Sequence, residues 1–231
     1  LNMIVKNESH IIEQTLNNII DNIKIDYWVI SDTGSADNTK EIIQDFFDKR
    51  SISGELHYDE WRDFGYNRTK ALEHAYNKTD YLLIFDADDK IHGKINLPSE
   101  LTDQNNIRFG SLQFSYYRNV LINNRKRWKY NGVLHEFISP IDDVSNDVKV
   151  IEGPYYIESG KTGARSLDKD KYLKDANILE NEFTNETNDF MKNRYAFYCA
   201  QSYKDAKIYG KAIDWYKKVL TLNNWIQEKY Y

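Results

Sequence analysis

Near the middle of the chain the sequence reads Leu83-Ile84-Phe85-Asp86-Ala87-Asp88-Asp89, an apolar run that delivers carboxylates into a turn. Strand alternation points Asp86 and Asp88 the same way, so the two side chains can converge on one object. Convergent carboxylates repel each other unless a proton or a cation lies between them. Hard divalent cations with oxygen ligands, manganese or magnesium, suit such a pair, with substrate phosphates completing the shell. The plainer alternative is a solvated acidic turn that caps a helix, but the position directly after a buried strand favours a site. A calcium loop of the EF-hand type needs glycine at its sixth position. Counting from Asp86, that residue is Ile91 and the glycine is Gly93, so the calcium-loop reading fails.

The elements that must carry this turn are legible on both sides of it. Met3-Ile4-Val5 is a short apolar run, with Ser9 as a cap for a helix whose Ile12, Leu16, Ile19, Ile20 and Ile23 share one face. Tyr27-Trp28-Val29-Ile30 reads as a buried strand ending in the turn Ser31-Asp32-Thr33-Gly34-Ser35. Ile42, Ile43, Phe46 and Phe47 mark a second helix, Leu56-His57-Tyr58 a short strand, and Phe64, Ala71, Leu72, Ala75 and Tyr76 a third helix. Strands separated by helices of this length imply right-handed crossovers and a parallel sheet, with ligands at the carboxyl ends of the strands. Both acidic turns fall there.

Beyond the acidic turn the pattern changes. Leu112, Phe114 and Tyr116 alternate with polar residues, as in an antiparallel or edge strand. Arg125-Lys126-Arg127 reads as part of a basic loop or hairpin, Trp128 as a core tryptophan, and Val148, Val150 and Ile151 as a further strand. A glycine-punctuated linker, Gly160-Lys161-Thr162-Gly163-Ala164-Arg165, divides a sheet domain (1–160) from a helical region (161–231). In that region Tyr172, Ala176, Leu179 and Phe183 share a face. Ala196, Cys199, Ala200, Tyr203, Ala212, Tyr216 and Val219 approach the small-and-aromatic pattern of a tetratricopeptide helix pair. Asn224 stands where that repeat usually has proline, and a plain helical hairpin is the alternative. An unfinished repeat leaves a surface for pairing into an oligomer.

Composition narrows the class. The chain has 231 residues and a formal charge of −5, so a general binder of nucleic acid or anionic membrane is disfavoured. The hydrophobic share of 41% indicates a folded chain rather than a disordered one. No apolar run reaches the roughly 18 residues of a membrane span, and the single cysteine excludes a disulfide framework. These features predict a cytoplasmic location, and the apolar start and abrupt stop suggest a trimmed piece of a longer chain.

Taken in order, the motifs resemble family 2 glycosyltransferases. Met3-Ile4-Val5-Lys6-Asn7-Glu8 is similar to the opening strand of an "MIVKNE" subgroup, and Asp32-Thr33-Gly34-Ser35-Ala36-Asp37-Asn38-Thr39 to its "DTGSxDxT" turn. Phe64-Gly65-Tyr66-Asn67-Arg68 with Ala71-Leu72 resembles the helix before the metal motif, and Asp86-Ala87-Asp88-Asp89 that motif itself. Trp128, Gly132, Val133, His135 and Glu136 resemble a tryptophan, glycine and His-Glu segment of the same subgroup, whose members often continue into tetratricopeptide-like helices.

The resemblance implies a GT-A (Rossmann-like) α/β fold, with a mixed, mainly parallel sheet flanked by helices and a small helical region after it. It implies transfer of a sugar from a nucleoside diphosphate donor, UDP above all, with inversion and with Mn2+ or Mg2+. It places the metal on Asp86 and Asp88, with His135 as a further ligand. The donor falls to Lys6, Asn7, Glu8, Asp32, Asn67, Arg68 and Asp86, with Asp32 accepting from the base. Glu136 becomes the base that deprotonates the acceptor, with Asp89 as the backup. Taken singly, Asp32 and Asn7 serve equally as turn caps. Many members carry a histidine just before the glycine-rich linker, where this chain has Glu158-Ser159. Either His135 covers that role or metal binding is weaker here. The acceptor is open among peptide, glycan, lipid carrier and small molecule. Two other classes remain in view: a catalytically silent nucleotide-binding scaffold with a helical partner dock, and a phosphatase of the haloacid dehalogenase type, which usually opens its domain with Asp-x-Asp followed by Thr or Val.

Overall fold

In a computed structural model of the chain, residues 1–222 are described. Asn224 and residues 228–231 lie outside them. The chain divides into two compact units, one comprising Leu1–Asn131 with Ile138–Ala164, the other Gly132–Phe137 with the helical segment from Arg165 onward.

The first unit begins as the periodicity predicts: β1 (Asn2–Val5), α1 (Ile12–Asn22), β2 (Trp28–Asp32), α2 (Thr39–Asp48), β3 (Gly54–Tyr58), α3 (Phe64–Ala75) and β4 (Tyr81–Leu83). Strands β1, β2 and β3 pair in parallel, with Met3 opposite Ile30 and Ile30 opposite Leu56. Ile84, just past β4, bridges Asn2 in parallel, which places β4 on the free side of β1. The resulting order β3-β2-β1-β4 is that of a doubly wound half-sheet, with its switch point between β1 and β4. Ile12, Leu16 and Ile19 of α1 and Ile43 and Phe47 of α2 are buried against the sheet. Each such side chain contributes about 2 kcal/mol by leaving water. Trp28 stacks on Phe47 at 4.5 Å. A Cβ on Gly54 would lie 2.3 Å from the Trp28 ring, so this strand position is closed to any side chain.

Ser9 does not cap α1. Its amide donates to Asp37 Oδ2 at 3.1 Å, and the helix opens on the Glu8 carbonyl, which accepts from Ile11 and Ile12 at 3.0 and 2.9 Å.

The sheet continues through β5 (Lys90–His92), β6 (Gln104–Gly110), β7 (Ser115–Asn123), β10 (Val148–Val150) and β11 (Tyr156–Glu158) in the order β4-β7-β6-β11-β5, with β10 on β6. Pairs β4–β7, β6–β7 and β5–β11 are antiparallel, whereas β6–β11 and β6–β10 are parallel. The strand expected around Leu112, Phe114 and Tyr116 is a turn at its centre. Gly110, at φ 124°, leaves the strand, and the Ser111 amide donates to Phe114 O at 2.7 Å. Leu112 is 88% exposed, so its alternation with Phe114 is not a buried face. The real strand, β6, escapes the apolar pattern because Asn105 fills an inward position and spends its Nδ2 on Leu121 O and Thr102 O.

Strands β8 (Trp128–Asn131) and β9 (Phe137–Pro140) form a two-stranded sheet. Trp128 is buried and its Nε1 donates to Asn123 O at 2.9 Å, the core role. The basic run before it is a braced surface loop. Arg125 pairs with Asp80 at 2.8 Å, Lys126 donates to Asp143 O at 2.8 Å, and Arg127 pairs with Asp142 at 2.6 Å.

The second unit holds α4 (Lys171–Asn185), α5 (Asp189–Asp205) and α6 (Tyr209–Thr221), with α5 packed against both of the others. Ala176, Leu179, Ala196, Cys199, Ala200, Tyr203, Ala212, Trp215 and Val219 are buried, the small residues letting the helices approach closely. Tyr172, expected on the inner face, is exposed in the first turn of α4, and Trp215, edge-on to Phe183 at 5.0 Å, fills the unit instead. Among the described residues no helix is long and apolar enough to cross a membrane.

Candidate functional site

The loops after β1 and β2 are sewn together. Asn7 donates its amide to Ser35 Oγ at 2.9 Å and accepts from the Ala36 amide at 2.7 Å. The Glu8 amide donates to Thr39 Oγ1 at 2.8 Å. Asn7 sits at φ 59°, a left-handed conformation that asparagine tolerates better than most residues. The two sequence motifs are therefore halves of one rim at the carboxyl ends of β1 and β2.

Asp32 closes the second half. It is buried, and its Oδ1 accepts from the amides of Gly34 and Ser35 at 3.0 and 2.8 Å. Its Oδ2 is buried without a hydrogen-bond partner. A buried carboxylate oxygen left unpaired is costly unless a ligand donor completes it. Lys6, at the exposed end of β1, places its Nζ 5.8 Å from the Trp61 ring centre.

The acidic turn is held by its neighbours. Ile84 donates to Val120 O at 2.8 Å, Phe85 to Asn2 O at 3.0 Å, and Thr15 Oγ1 of α1 to Ala87 O at 2.7 Å. Because β4 ends at Leu83, strand alternation does not run through the turn, and Asp86 and Asp88 take different partners. Asp86 Oδ1 accepts from Arg68 Nη2 at 2.6 Å. Burial works to raise this carboxyl, and the Arg68 and Arg118 charges outweigh it and hold it below the usual range. Asp88 Oδ2 accepts from the Gly163 amide at 3.0 Å. Asp89 is buried, with Oδ1 accepting from the Gly160 amide at 3.0 Å; burial first, then the Asp86 charge, pushes it up to about 8. Glu8 accepts from the Ala164 amide at 3.1 Å, and its carboxyl is raised to about 7, chiefly by burial, with the Asp88 charge adding to the effect against the Ala164 hydrogen bond.

Asn67 is fully buried, and its amide is spent on the loop before α3, accepting from Arg62 N at 2.9 Å and donating to Glu60 O at 3.0 Å. It braces the loop that carries Trp61, and Arg68, one residue on, reaches the acidic turn.

His135 and Glu136 belong to the second unit. His135 has φ 53°, stacks on Tyr198 at 4.0 Å, and its carbonyl accepts from Arg194 Nε at 2.8 Å. Packing of the ring, with Arg194, Arg165 and Lys171 nearby, lowers the imidazole below its usual value, although the residue keeps exposed surface. Glu136 is half-buried.

Two contributors are absent from the motif reading: Arg118 of β7, whose charge acts on Asp86 and Asp89, and the amides of residues 160–164. The glycine spacing of that stretch reads as a linker, yet close backbone approach is the other use of glycine. Among the described residues no group of three His, Cys, Asp or Glu side chains could by itself hold a metal ion. A donor set of one or two carboxylates still fits Mg2+ or Mn2+, which keep waters and take substrate phosphates.

The family model described as Glycosyl transferase family 2 matches residues 2–169. No curated relative matches the chain. Among solved structures, S. aureus TarS 1-349 in complex with UDP-GlcNAc is similar at 14% identity, covering 94% of this chain and 80% of that one, with a TM-score of 0.49. S. aureus TarS is similar at 13% identity over 87% of this chain and 42% of that one, with a TM-score of 0.47. The mannosyltransferase PcManGT from Pyrobaculum calidifontis, in complex with GDP-Man and Mn2+, matches at 25% identity over 38% of this chain, with a TM-score of 0.33. This chain spans 27% of the length of that mannosyltransferase. With a family match that takes in every element from β1 to β11, the chain belongs to Glycosyl transferase family 2.

Proposed function

We propose that this chain is an inverting glycosyltransferase that moves a sugar from a nucleoside diphosphate donor, UDP in the first instance, to an acceptor hydroxyl with the help of Mn2+ or Mg2+. The observation that carries the reading is the acidic turn after β4, braced by α1 and by Arg68, at the switch point where the carboxylates of Glu8 and Asp88 both face Gly163. Family membership supports reading this turn as part of a donor site and leaves the phosphatase alternative without support.

Asp88 would hold the cation, with Asp86 beside it, and His135 is a further candidate ligand. When bound, the cation neutralises charge on the departing diphosphate. Asp32 offers its unpaired Oδ2 to a nucleobase N–H, the imide of uracil being a matching donor. Lys6, Asn7 and Glu8 form the facing rim of the base and ribose pocket. Arg68, anchored on Asp86, presents positive charge where the diphosphate oxygens become more negative as the glycosidic bond breaks. Glu136 takes the acceptor hydroxyl proton while the acceptor oxygen attacks the anomeric carbon on the face opposite the diphosphate. Asp89 is sealed against Gly160, so it supports the turn and stands second to Glu136 as the base. The helical unit, with its tetratricopeptide-like pattern, is the candidate surface for an acceptor or a second copy. Calorimetry of UDP with Mn2+ and after chelation tests the reading. Binding that requires the metal and is lost in Asp88→Asn supports it, and no binding under either condition contradicts it.

A further inference from the structure

Residues 160–164 lie across the acidic turn and bind it at two points, with a third bond to Glu8. The Gly160 amide donates to Asp89 Oδ1 at 3.0 Å, the Gly163 amide to Asp88 Oδ2 at 3.0 Å, and the Ala164 amide to Glu8 Oε2 at 3.1 Å. On the outer side His10 Nε2 donates to the Thr162 carbonyl at 2.8 Å. At Gly160 the approach is closed to any side chain: a Cβ there would lie 1.8 Å from the Asp88 carbonyl oxygen. A Cβ on Gly163 would lie 3.1 Å from Asp88 Oδ2 and 3.3 Å from Glu8 Oε1.

We propose that residues 160–164 form an autoinhibitory strap whose Gly163 amide holds Asp88 Oδ2, an oxygen that a divalent cation needs, while its Gly160 and Ala164 amides anchor it on Asp89 and Glu8, so that cation and nucleotide load as the strap lets go. The inference rests on the reading of Asp88 as the metal carboxylate. An amide hydrogen and a cation compete for the same lone pairs, and the positive end of the N–H dipole repels the cation. A hydrogen bond to a carboxylate is stronger than one between neutral groups, so the Gly163 bond to Asp88 sets a barrier that the ligand must exceed, with the Gly160 and Ala164 bonds anchoring the strap on either side. Among the described residues His10 pins the strap from outside the carboxylate set, and its loss weakens the closed state without touching the cation's ligands.

Two readouts on the full chain test this without turnover: Mn2+ affinity by electron paramagnetic resonance, and the rate of tryptic cleavage after the exposed Lys161, which a closed strap retards. His10→Ala is expected to tighten Mn2+ binding roughly threefold to tenfold, the worth of one hydrogen bond, and to speed cleavage after Lys161. His10→Gln, which keeps a donor for Thr162, is expected to restore wild-type values. Adding Mn2+ with UDP to the wild-type chain is expected to accelerate cleavage at the same bond severalfold. Equal Mn2+ affinity in wild type and His10→Ala, with cleavage indifferent to Mn2+ and UDP, overturns the strap while the metal reading stands. Absence of Mn2+ binding in both proteins overturns the metal reading and the strap with it.

Discussion

Arg68 on α3 and Asp86 in the turn after β4 are joined by a 2.6 Å ion pair, with side chains only 12% and 29% exposed. The pair ties a helix to the acidic turn and lets Asp86, Asp88 and Asp89 share one end of the sheet. Removing the cation leaves Asp86 partly buried beside Asp88 and Asp89. Arg68→Met should cost about 2 kcal/mol, below the full penalty of a buried pair because both groups keep some water. Adding Asp86→Asn to that variant should recover part of the loss. Urea denaturation measures both, and an Arg68→Met midpoint equal to wild type would sink the argument.

Asp32 divides its labour between two oxygens, Oδ1 on the turn amides and Oδ2 unpaired. Asp32→Asn keeps an acceptor for Gly34 and Ser35 and replaces the second oxygen with a donor. UDP affinity should fall about tenfold or more with little change in melting temperature, and preference for UDP over CDP should shrink. Unchanged UDP affinity would remove Asp32 from the base pocket.

The two glycines of the strap differ in what a methyl group would meet. At Gly160 it meets the Asp88 backbone at 1.8 Å, and at Gly163 a side-chain oxygen at 3.1 Å. Gly160→Ala should therefore destabilise by about 2 kcal/mol or more, and Gly163→Ala by roughly 1 kcal/mol. Equal melting temperatures for the two variants would contradict the close approach.

Cys199 is fully buried, its thiol facing Ala176 O at 3.5 Å, and burial pushes it up to about 12. The folded value lies above the unfolded one, so this contribution is intact below about pH 8.5 and is lost as pH rises toward the folded value. Alkylation at pH 8 should be negligible in the folded chain and rapid in urea. Rapid labelling without denaturant would show that α5 opens readily.

Much of the first unit was legible because its helices and parallel strands are apolar on schedule: Ile12, Leu16 and Ile19, then Trp28 to Ile30, sit where the spacing puts them. The antiparallel strands were not. Asn105 and Asn119 occupy β6 and β7 by hydrogen bonding rather than by apolarity, whereas Leu112 and Phe114 mimic a strand while exposed on a turn. At the site, residue types identified the acidic turn, but the partners of Asp86 and Asp88 depend on where β4 ends. Asn67, one residue from Arg68, faces inward to a loop, a difference that helix position alone decides. The strap reads as a linker in the sequence because glycine signals both freedom and close approach.

The most direct test is release of nucleoside diphosphate from a panel of UDP-, GDP- and TDP-sugars, with Mn2+ and with chelator, by the wild-type chain and by Asp88→Asn. Slow hydrolysis of the donor needs no acceptor, so the metal-dependent step is read alone. The account predicts Mn2+-dependent release from one donor, reduced about a hundredfold or more in Asp88→Asn. Release that is indifferent to chelator and to Asp88→Asn, or no release from any donor, would contradict it.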